Sequence, residues 1–311
     1  SGAFSAVLMQ MLSTWQRPLI LVEDSEDKAQ MLLDELGNLL PDNMVFSFPV
    51  DATIATQTAI ASPDELSQRL QTLKFLTEKR AGIVVITPQA LQYKLSDPRD
   101  FTKAKQVFKP EAEFDLDELT AWFTQAGYRR ENIVARPGEF ARRGDILDVY
   151  PLDQENPFRI EFFGDEIDRI TEIDYVTGKI VGTRNHVVIF PASHYVTTPE
   201  RVEKAVIEIE KELEERVKSF KDDDKLLEAQ RIEQRTKYDI EMLKEIGFCQ
   251  GIENYSRHIT GRKPGEKPYT LMDFFPDDYL IIVDESHVTV PQVRGMYAGD
   301  HSRKKSLIDN G

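Results

Sequence analysis

Two adjacent carboxylates follow an apolar stretch near the end of the chain. Residues 279–287 read Tyr-Leu-Ile-Ile-Val-Asp-Glu-Ser-His, so Asp284 and Glu285 come directly after a predicted strand. A carboxylate at the end of such a strand can hold the Mg²⁺ of a nucleotide, and its neighbour can polarise an attacking water. The pattern predicts where nucleotide chemistry would lie. The alternative is a strand end with two solvated carboxylates.

The phosphate-binding loop that would complete such a site is absent from the sequence. That loop reads G-x-x-x-x-G-K-[ST]; its glycines let backbone N–H groups wrap the phosphates, and its lysine reaches the terminal oxygens. No such string occurs in the 311 residues. Gly178-Lys179 is followed by Ile180 and lacks the preceding glycine, so it predicts a hairpin turn.

The composition indicates a folded chain of two or three domains without a general affinity for polyanions. Lys and Arg total 39 against 54 Asp and Glu, and the formal charge is −15, so any nucleic-acid contact must be a local patch. The single Cys249 excludes an intramolecular disulfide, and the five histidines have no metal-ligand spacing. No signal or membrane span is recognisable. We expect a cytoplasmic protein whose two ends lie inside a larger architecture.

Apolar strands alternate with amphipathic helices at the start of the chain. Strands are predicted at residues 18–22, 45–49 and 82–87. This alternation is typical of α/β proteins, in which helices cover both faces of a parallel sheet. The strand before Asp284 is predicted to re-enter the same sheet. We therefore predict an α/β fold with a RecA-like parallel sheet of the P-loop NTPase type.

Two further modules are predicted within this sheet domain. Short alternating strands between residues 133 and 190 indicate an inserted α+β domain. Helical spacing of apolar residues from 199 to 247 indicates a pair of helices that breaks near Asp222. The predicted domains are the first part of the sheet domain (1–109), the insertion (110–195), the helical domain (196–265) and the return to the sheet (266–311).

Arginine and aromatic residues lie together on the predicted strands of the insertion. In the strand at residues 158–163, alternation puts the odd-numbered side chains, from Arg159 to Phe163, on one side and the even-numbered ones on the other. Arginine beside an exposed aromatic ring is typical of protein interfaces. The alternative is an aromatic core with solvated arginines. The predicted partner-binding residues are Arg142, Arg143, Arg159, Glu161 and Phe163.

A second cluster of polar and aromatic residues follows the helical pair. Within residues 251–258, Tyr255 could stack on a base and Arg257 could pair with a phosphate, with His258 beside them. Helix capping and core packing explain the same residues equally well. DNA binding by Tyr255, Arg257 and His258 is therefore one of two open interpretations.

From about residue 169 to the end, the chain contains the long motifs IFPASHYVT, KLLEAQRIEQRTKYDIEMLKEIGFCQGIENYSRH, PYTLMDFFPDD and VDESHVTVPQVRGMY. These motifs resemble UvrB, the damage-verifying ATPase family of bacterial nucleotide excision repair. Residues up to about 168 instead resemble the amino-terminal module of the transcription-repair coupling factor, through FSFPVDATIATQTAIASPDELSQRL and ARPGEFARRGDILDVYPLDQENPFRIEFFGDEID. The chain thus resembles a hybrid joined around residues 164–170, and the sequence leaves open whether the junction is natural or engineered.

The resemblance implies a RecA-like domain, an inserted domain that binds UvrA and a helical domain near the DNA path. The coupling factor's docking residues match Arg143, Arg159 and Phe163. UvrB's aromatic β-hairpin has no counterpart between Pro49 and Pro88, and the second RecA-like domain is not expected.

The resemblance also implies that the nucleotide site is degenerate. Phe4, Ser5 and Ala6 stand where a phosphate loop has its last glycine, its lysine and its hydroxyl residue. The parent families use ATP and Mg²⁺, but for this chain we expect no cofactor and vestigial roles for Asp284 and Glu285. The expected function is a catalytically silent UvrA-binding module of nucleotide excision and transcription-coupled repair. The alternative is an ATPase or helicase fragment that binds ATP and damaged DNA.

Overall fold

The computed structural model describes residues 2–50, 62–193, 198–247, 249 and 252–310. It divides the chain into two compact units. The first comprises Ser1–Ile60, Phe75–Leu95 and Thr197–Gly311, and the second comprises Ala61–Lys74 and Ser96–Val196. The stretch between Pro49 and Pro88, where no aromatic hairpin is predicted, lies partly outside the described residues. The four-domain division remains a prediction.

The elements of the described ranges are numbered in chain order. The strands are β1 (Pro18–Val22), β2 (Val45–Ser47), β3 (Gly82–Ile86), β4 (Lys94–Leu95), β5 (Gln106–Phe108), β6 (Arg129–Arg130), β7 (Glu139–Arg143), β8 (Ile146–Tyr150), β9 (Phe158–Phe163), β10 (Glu166–Ile173), β11 (Ile180–Thr183), β12 (Val187–Ile189), β13 (Tyr269–Thr270) and β14 (Leu280–Val283). The α-helices are α1 (Gly2–Trp15), α2 (Glu26–Gly37), α3 (Pro63–Thr77), α4 (Pro98–Lys103), α5 (Leu116–Gln125), α6 (Pro199–Asp222), α7 (Leu226–Ile246), α8 (Ser256–Ile259) and α9 (Ser286–Asn310).

A parallel sheet forms the centre of the first unit. Its strand order is β14-β1-β3-β2, and each neighbouring pair is parallel. Every residue of β1 and β3 is buried, because strands inside a parallel sheet are covered on both faces. Leu8 and Leu12 of α1 and Leu36 of α2 belong to the same apolar cluster as Leu19 and Leu21 of β1. The predicted α/β fold, including the return to the sheet at β14, is confirmed.

The helical pair α6–α7 belongs to the first unit and is broken where the sequence predicts. Asp223-Asp224-Lys225 separate the two helices, with Asp224 at a φ of 58°. Phe220 is 2% exposed, and the Arg216 guanidinium lies over its ring at 4.3 Å. Apolar packing between the helices therefore continues up to the turn. The core cluster of the pair comprises Leu213, Val217, Phe220 and Ala229.

The second unit is built on a sheet of order β11-β10-β9-β8-β7-β6, whose pairs are antiparallel except for β6 with β7. Helix α5 begins at the N-cap Asp115, whose carboxylate accepts from the backbone N–H groups of Asp117 and Glu118 at 2.8 and 2.9 Å. Phe123 of α5 stacks on Phe140 of β7 with ring centroids 5.2 Å apart. The helix thus covers one face of the sheet, as expected for an α+β module.

None of the helices in the described ranges combines the length and apolar character that crossing a membrane requires.

Candidate functional site

Strand β9 separates its side chains between a buried and an accessible face of the sheet. Phe158, Ile160 and Phe162 are 5%, 0% and 7% exposed, whereas Phe163 is 86% exposed. Arg159 and Glu161 lie between these extremes. The alternation predicted for this strand is therefore confirmed. The outward face of the sheet therefore exposes the aromatic ring of Phe163 to solvent.

Two arginines of this face share one carboxylate. Asp148 of β8 accepts from Nε and Nη2 of Arg159 at 2.7 and 2.9 Å and from Nη2 of Arg143 at 2.5 Å. Hydrogen bonding to Asp148 raises the pKa of Arg159. Glu161 is paired with Arg169 at 2.5 Å. We call this set the docking face; it comprises Arg143, Asp148, Arg159, Glu161 and Phe163.

Asp148 is a residue that the sequence interpretation missed. It is 5% exposed, although it lies in the otherwise apolar stretch Ile-Leu-Asp-Val-Tyr at residues 146–150. A lone buried carboxylate in such a strand needs a cationic partner, because an unpaired buried charge is strongly unfavourable. That reasoning could have drawn attention to Asp148, but the identity of its partners depends on the strand register.

Arg142 lies apart from the docking face, which corrects the prediction that all five residues share one surface. Its cross-strand partner is Leu147, which in turn pairs with Ile160, and both are buried. Its guanidinium pairs with Asp117 of α5. Because successive side chains of a strand point to opposite faces, neighbouring arginines in β7 are directed to opposite sides of the sheet.

Carboxylates gather at the carboxyl end of the parallel sheet in the first unit. Asp284 follows β14 and donates its backbone N–H to Val22 at 3.0 Å, and Glu23 follows β1. Glu23 is 4% exposed. Burial is the main cause that raises the pKa of Glu23, and the charge of Asp284 raises it further. Asp24 forms an ion pair with Lys28 at 2.8 Å. The predicted Asp284 thus lies at a strand end beside a second acidic group.

Glu285 and the residues aligned with a phosphate loop contribute little to a nucleotide site at this edge of the sheet. Glu285 has a φ of 44° and accepts from the backbone of Thr289 in the first turn of α9. Phe4 packs against the apolar cluster of the unit, and Ser5 is fully buried. Across the described residues, no group of three or more His, Cys, Asp or Glu side chains is arranged to hold a metal ion.

The residues proposed from sequence to contact DNA are engaged by carboxylates of the helical pair. Tyr255 donates its hydroxyl to Asp239 of α7 at 2.7 Å, and burial together with this bond raises its pKa. Arg257 pairs with Glu212 of α6 at 2.5 Å. His258 approaches the same Glu212 at 2.6 Å, and its side chain is 8% exposed. These contacts favour the packing interpretation. DNA binding remains a prediction.

Comparison with known domains divides the chain into recognisable parts. Residues 107–195, which carry the docking face, match the UvrB interaction domain. Residues 200–261, which carry the helical pair, match the UvrB third helical domain. Two successive parts of the chain are thus similar to domains of UvrB.

Curated UvrB proteins are similar to nearly the whole chain. UvrABC system protein B of Caldicellulosiruptor bescii is 44% identical over 98% of this chain and 48% of its own length. The Bacillus subtilis protein is 43% identical over 95% and 47%, and the Enterococcus faecalis protein is 42% identical over 95% and 46%. The chain therefore spans about half the length of the UvrB relatives it matches.

Replacing Glu23 with glutamine should stabilise the protein near neutral pH but not in acid. Because the folded-state pKa of Glu23 is raised, its contribution to stability is fully present below its ordinary pKa of 4.5 and is lost as the pH rises through the raised value. Glutamine stays uncharged throughout. Urea unfolding should show the advantage of Glu23→Gln growing from acid to neutral pH. Glu26→Gln, at an exposed glutamate, is the control, and a difference independent of pH would contradict the prediction.

Removing the Tyr255 hydroxyl should destabilise the fold by about 1–3 kcal/mol, because it leaves the buried Asp239 without its donor. Denaturant unfolding of Tyr255→Phe measures the loss. Tyr238→Phe is the matched control, since Tyr238 lies on the same helix as Asp239 and is 62% exposed. Equal unfolding free energies for the two variants would show that the Tyr255 contact is not stabilising.

Proposed function

We propose that this chain binds UvrA in bacterial nucleotide excision repair and does so through the docking face. The observation that carries the proposal is Phe163, which is 86% exposed on the same face of the sheet as an ordered pair of arginines. The similarity of residues 107–195 to the UvrB interaction domain supports the same assignment. An exposed ring among paired charges is typical of a surface that a protein partner covers.

Phe163 has the properties of an interface anchor. It stands at the end of β9, directly before the tight turn at Gly164, which has a φ of 65°. Its neighbour Phe162 is buried in the core, so the backbone that carries the exposed ring is held in place. Transfer of such a ring from water into a partner's pocket contributes about 1.5–3 kcal/mol. A partner with an apolar pocket would gain that energy without reorganising this strand.

The charge of the docking face differs from that of the whole chain. The chain carries a formal charge of −15, yet Arg143 and Arg159 bring two positive charges to one carboxylate, while Glu161 and Arg169 form a neutral pair. Around Asp148 the two arginines leave a local positive excess, which favours a partner that presents a carboxylate to them. We therefore propose that the UvrA surface carries an acidic group facing Arg143 and Arg159.

Truncation of the anchors should abolish tight binding of UvrA. We expect Phe163→Ala and Arg159→Ala each to raise the Kd by about 30-fold or more, because central aromatic and arginine anchors carry about 2 kcal/mol or more. Isothermal titration of each variant with purified UvrA measures the change. The matched controls are Ile133→Ala, at an apolar residue that is 70% exposed, and Arg130→Ala on the exposed strand β6.

The controls should bind as tightly as the unaltered chain. If the unaltered chain, shown by circular dichroism to be folded, does not bind UvrA, the proposed function is wrong. If it binds and both anchor variants bind equally well, UvrA recognition lies elsewhere on the chain.

We also propose that the chain is catalytically silent. The support is the replacement of the phosphate-loop residues by Phe4, Ser5 and Ala6. Ser5 is fully buried and Phe4 contributes to the apolar cluster, so neither offers a cation to a phosphate. Without that lysine, the Mg²⁺-holding role of Asp284 has no phosphate partner.

Catalytic silence predicts that the chain neither binds nor hydrolyses ATP. A fluorescent ATP analogue should show no Mg²⁺-dependent binding, and phosphate release should stay at background with or without DNA. Glu285→Gln should therefore change neither measurement. DNA-stimulated phosphate release that Glu285→Gln abolishes would establish the alternative, an ATPase fragment.

The division of the chain into a coupling-factor-like part, about residues 1–168, and a UvrB-like part, about 169–311, remains a prediction from the motifs. A role in transcription-coupled repair depends on that division. Contact with DNA through the full-length parent remains a prediction as well.

A further inference from the structure

Asp148 occupies the centre of the docking face without being accessible itself. It lies in the middle strand of the group β7, β8 and β9, with Ala141 and Arg159 as its direct cross-strand neighbours. The residue is 5% exposed, whereas the side chains of Arg143 and Arg159 are 47% and 32% exposed. The arginines therefore cover the carboxylate and keep part of their own surface in water.

Both oxygens of the carboxylate are used to orient these arginines. Oδ1 accepts from Nε of Arg159, and Oδ2 accepts from Nη2 of Arg159 and Nη2 of Arg143. The two bonds to Arg159 form a bidentate fork, which fixes the plane of its guanidinium as well as its position. Because the two arginines come from different strands, a single carboxylate aligns groups that the backbone alone would leave free.

The fork leaves donors available for a partner. Arg159 donates to Asp148 through Nε and Nη2, and Arg143 donates to it through Nη2. The remaining N–H groups can donate to a carboxylate on the partner. A preordered guanidinium loses little conformational freedom when it makes that bond, so ordering by Asp148 should increase affinity.

We propose that Asp148 is the positioning residue of the docking face: it holds Arg143 and Arg159 in the arrangement that an acidic group of UvrA recognises on the same face of the sheet as Phe163. The inference rests on the proposed function. Asp148 itself has almost no accessible surface, so it affects the affinity for UvrA through the two arginines.

The first test replaces Asp148 with asparagine, which has nearly the same shape but no charge. We expect Asp148→Asn to raise the Kd for UvrA by about tenfold or more in isothermal titration, because the fork to Arg159 loses its charge-assisted bonds. The matched control is Asp117→Asn, which removes the carboxylate paired with Arg142 on the opposite face of the same sheet. That variant should bind UvrA as the unaltered chain does.

A double-mutant cycle separates positioning from a general structural effect. In a chain that already carries Arg143→Ala and Arg159→Ala, Asp148→Asn should weaken binding no further, because its route to the partner is gone. An equally large loss in that background would overturn the inference, since Asp148 would then act on the fold.

A second variant tests the same contact if Asp148→Asn does not fold. Arg159→Lys keeps the positive charge but cannot form the bidentate fork, and it should weaken UvrA binding by about tenfold or more. Binding of Arg159→Lys at the unaltered affinity would overturn the inference.

The outcomes distinguish this inference from the function on which it rests. If the folded, unaltered chain does not bind UvrA, both fall. If it binds and Arg159→Ala weakens binding while Asp148→Asn does not, UvrA binding stands and the positioning role of Asp148 is wrong.

Discussion

The alternation of side chains across the sheet of the second unit is the constraint on which the docking face depends. One side of this sheet packs against α5 through aromatic side chains, and Phe123 of the helix stacks on Phe140 of the sheet. The other side carries the docking face, together with Ala141, Ile146 and Tyr150. Because the period is two residues, a shift of the register by one position would exchange the two sides. The core and the docking face are therefore consequences of the same register.

Charge is arranged by the same register. Asp148 is buried within reach of both guanidiniums because β7, β8 and β9 place their outward residues side by side. Removing both arginines would leave Asp148 as a poorly solvated charge, which is unfavourable. The arginines are thus held by the sheet and still reach solvent. This combination of order and accessibility suits recognition of a protein surface.

In the first unit, the polar residues singled out from the sequence contact one another or carboxylates of the helical pair. Glu23 and Asp284 lie at neighbouring strand ends, and burial together with the charge of Asp284 raises the pKa of Glu23. Tyr255 donates a hydrogen bond to Asp239 of the helical pair, and Arg257 forms an ion pair with Glu212 of the same pair. The docking face differs because its arginines outnumber the carboxylate between them, which is why we locate function there.

The sequence by itself determined the parallel sheet, the broken helical pair and the two sides of β9, because each depends on a local period that neighbouring residues repeat. It also indicated Arg159 and Phe163 as outward residues. Only the tertiary structure decided that Arg142 faces α5, that Asp148 joins two arginines and that Asp239 holds Tyr255. These contacts join residues that are distant in the sequence or lie on different strands, and their geometry is set by strand register and helix packing, which no local pattern encodes.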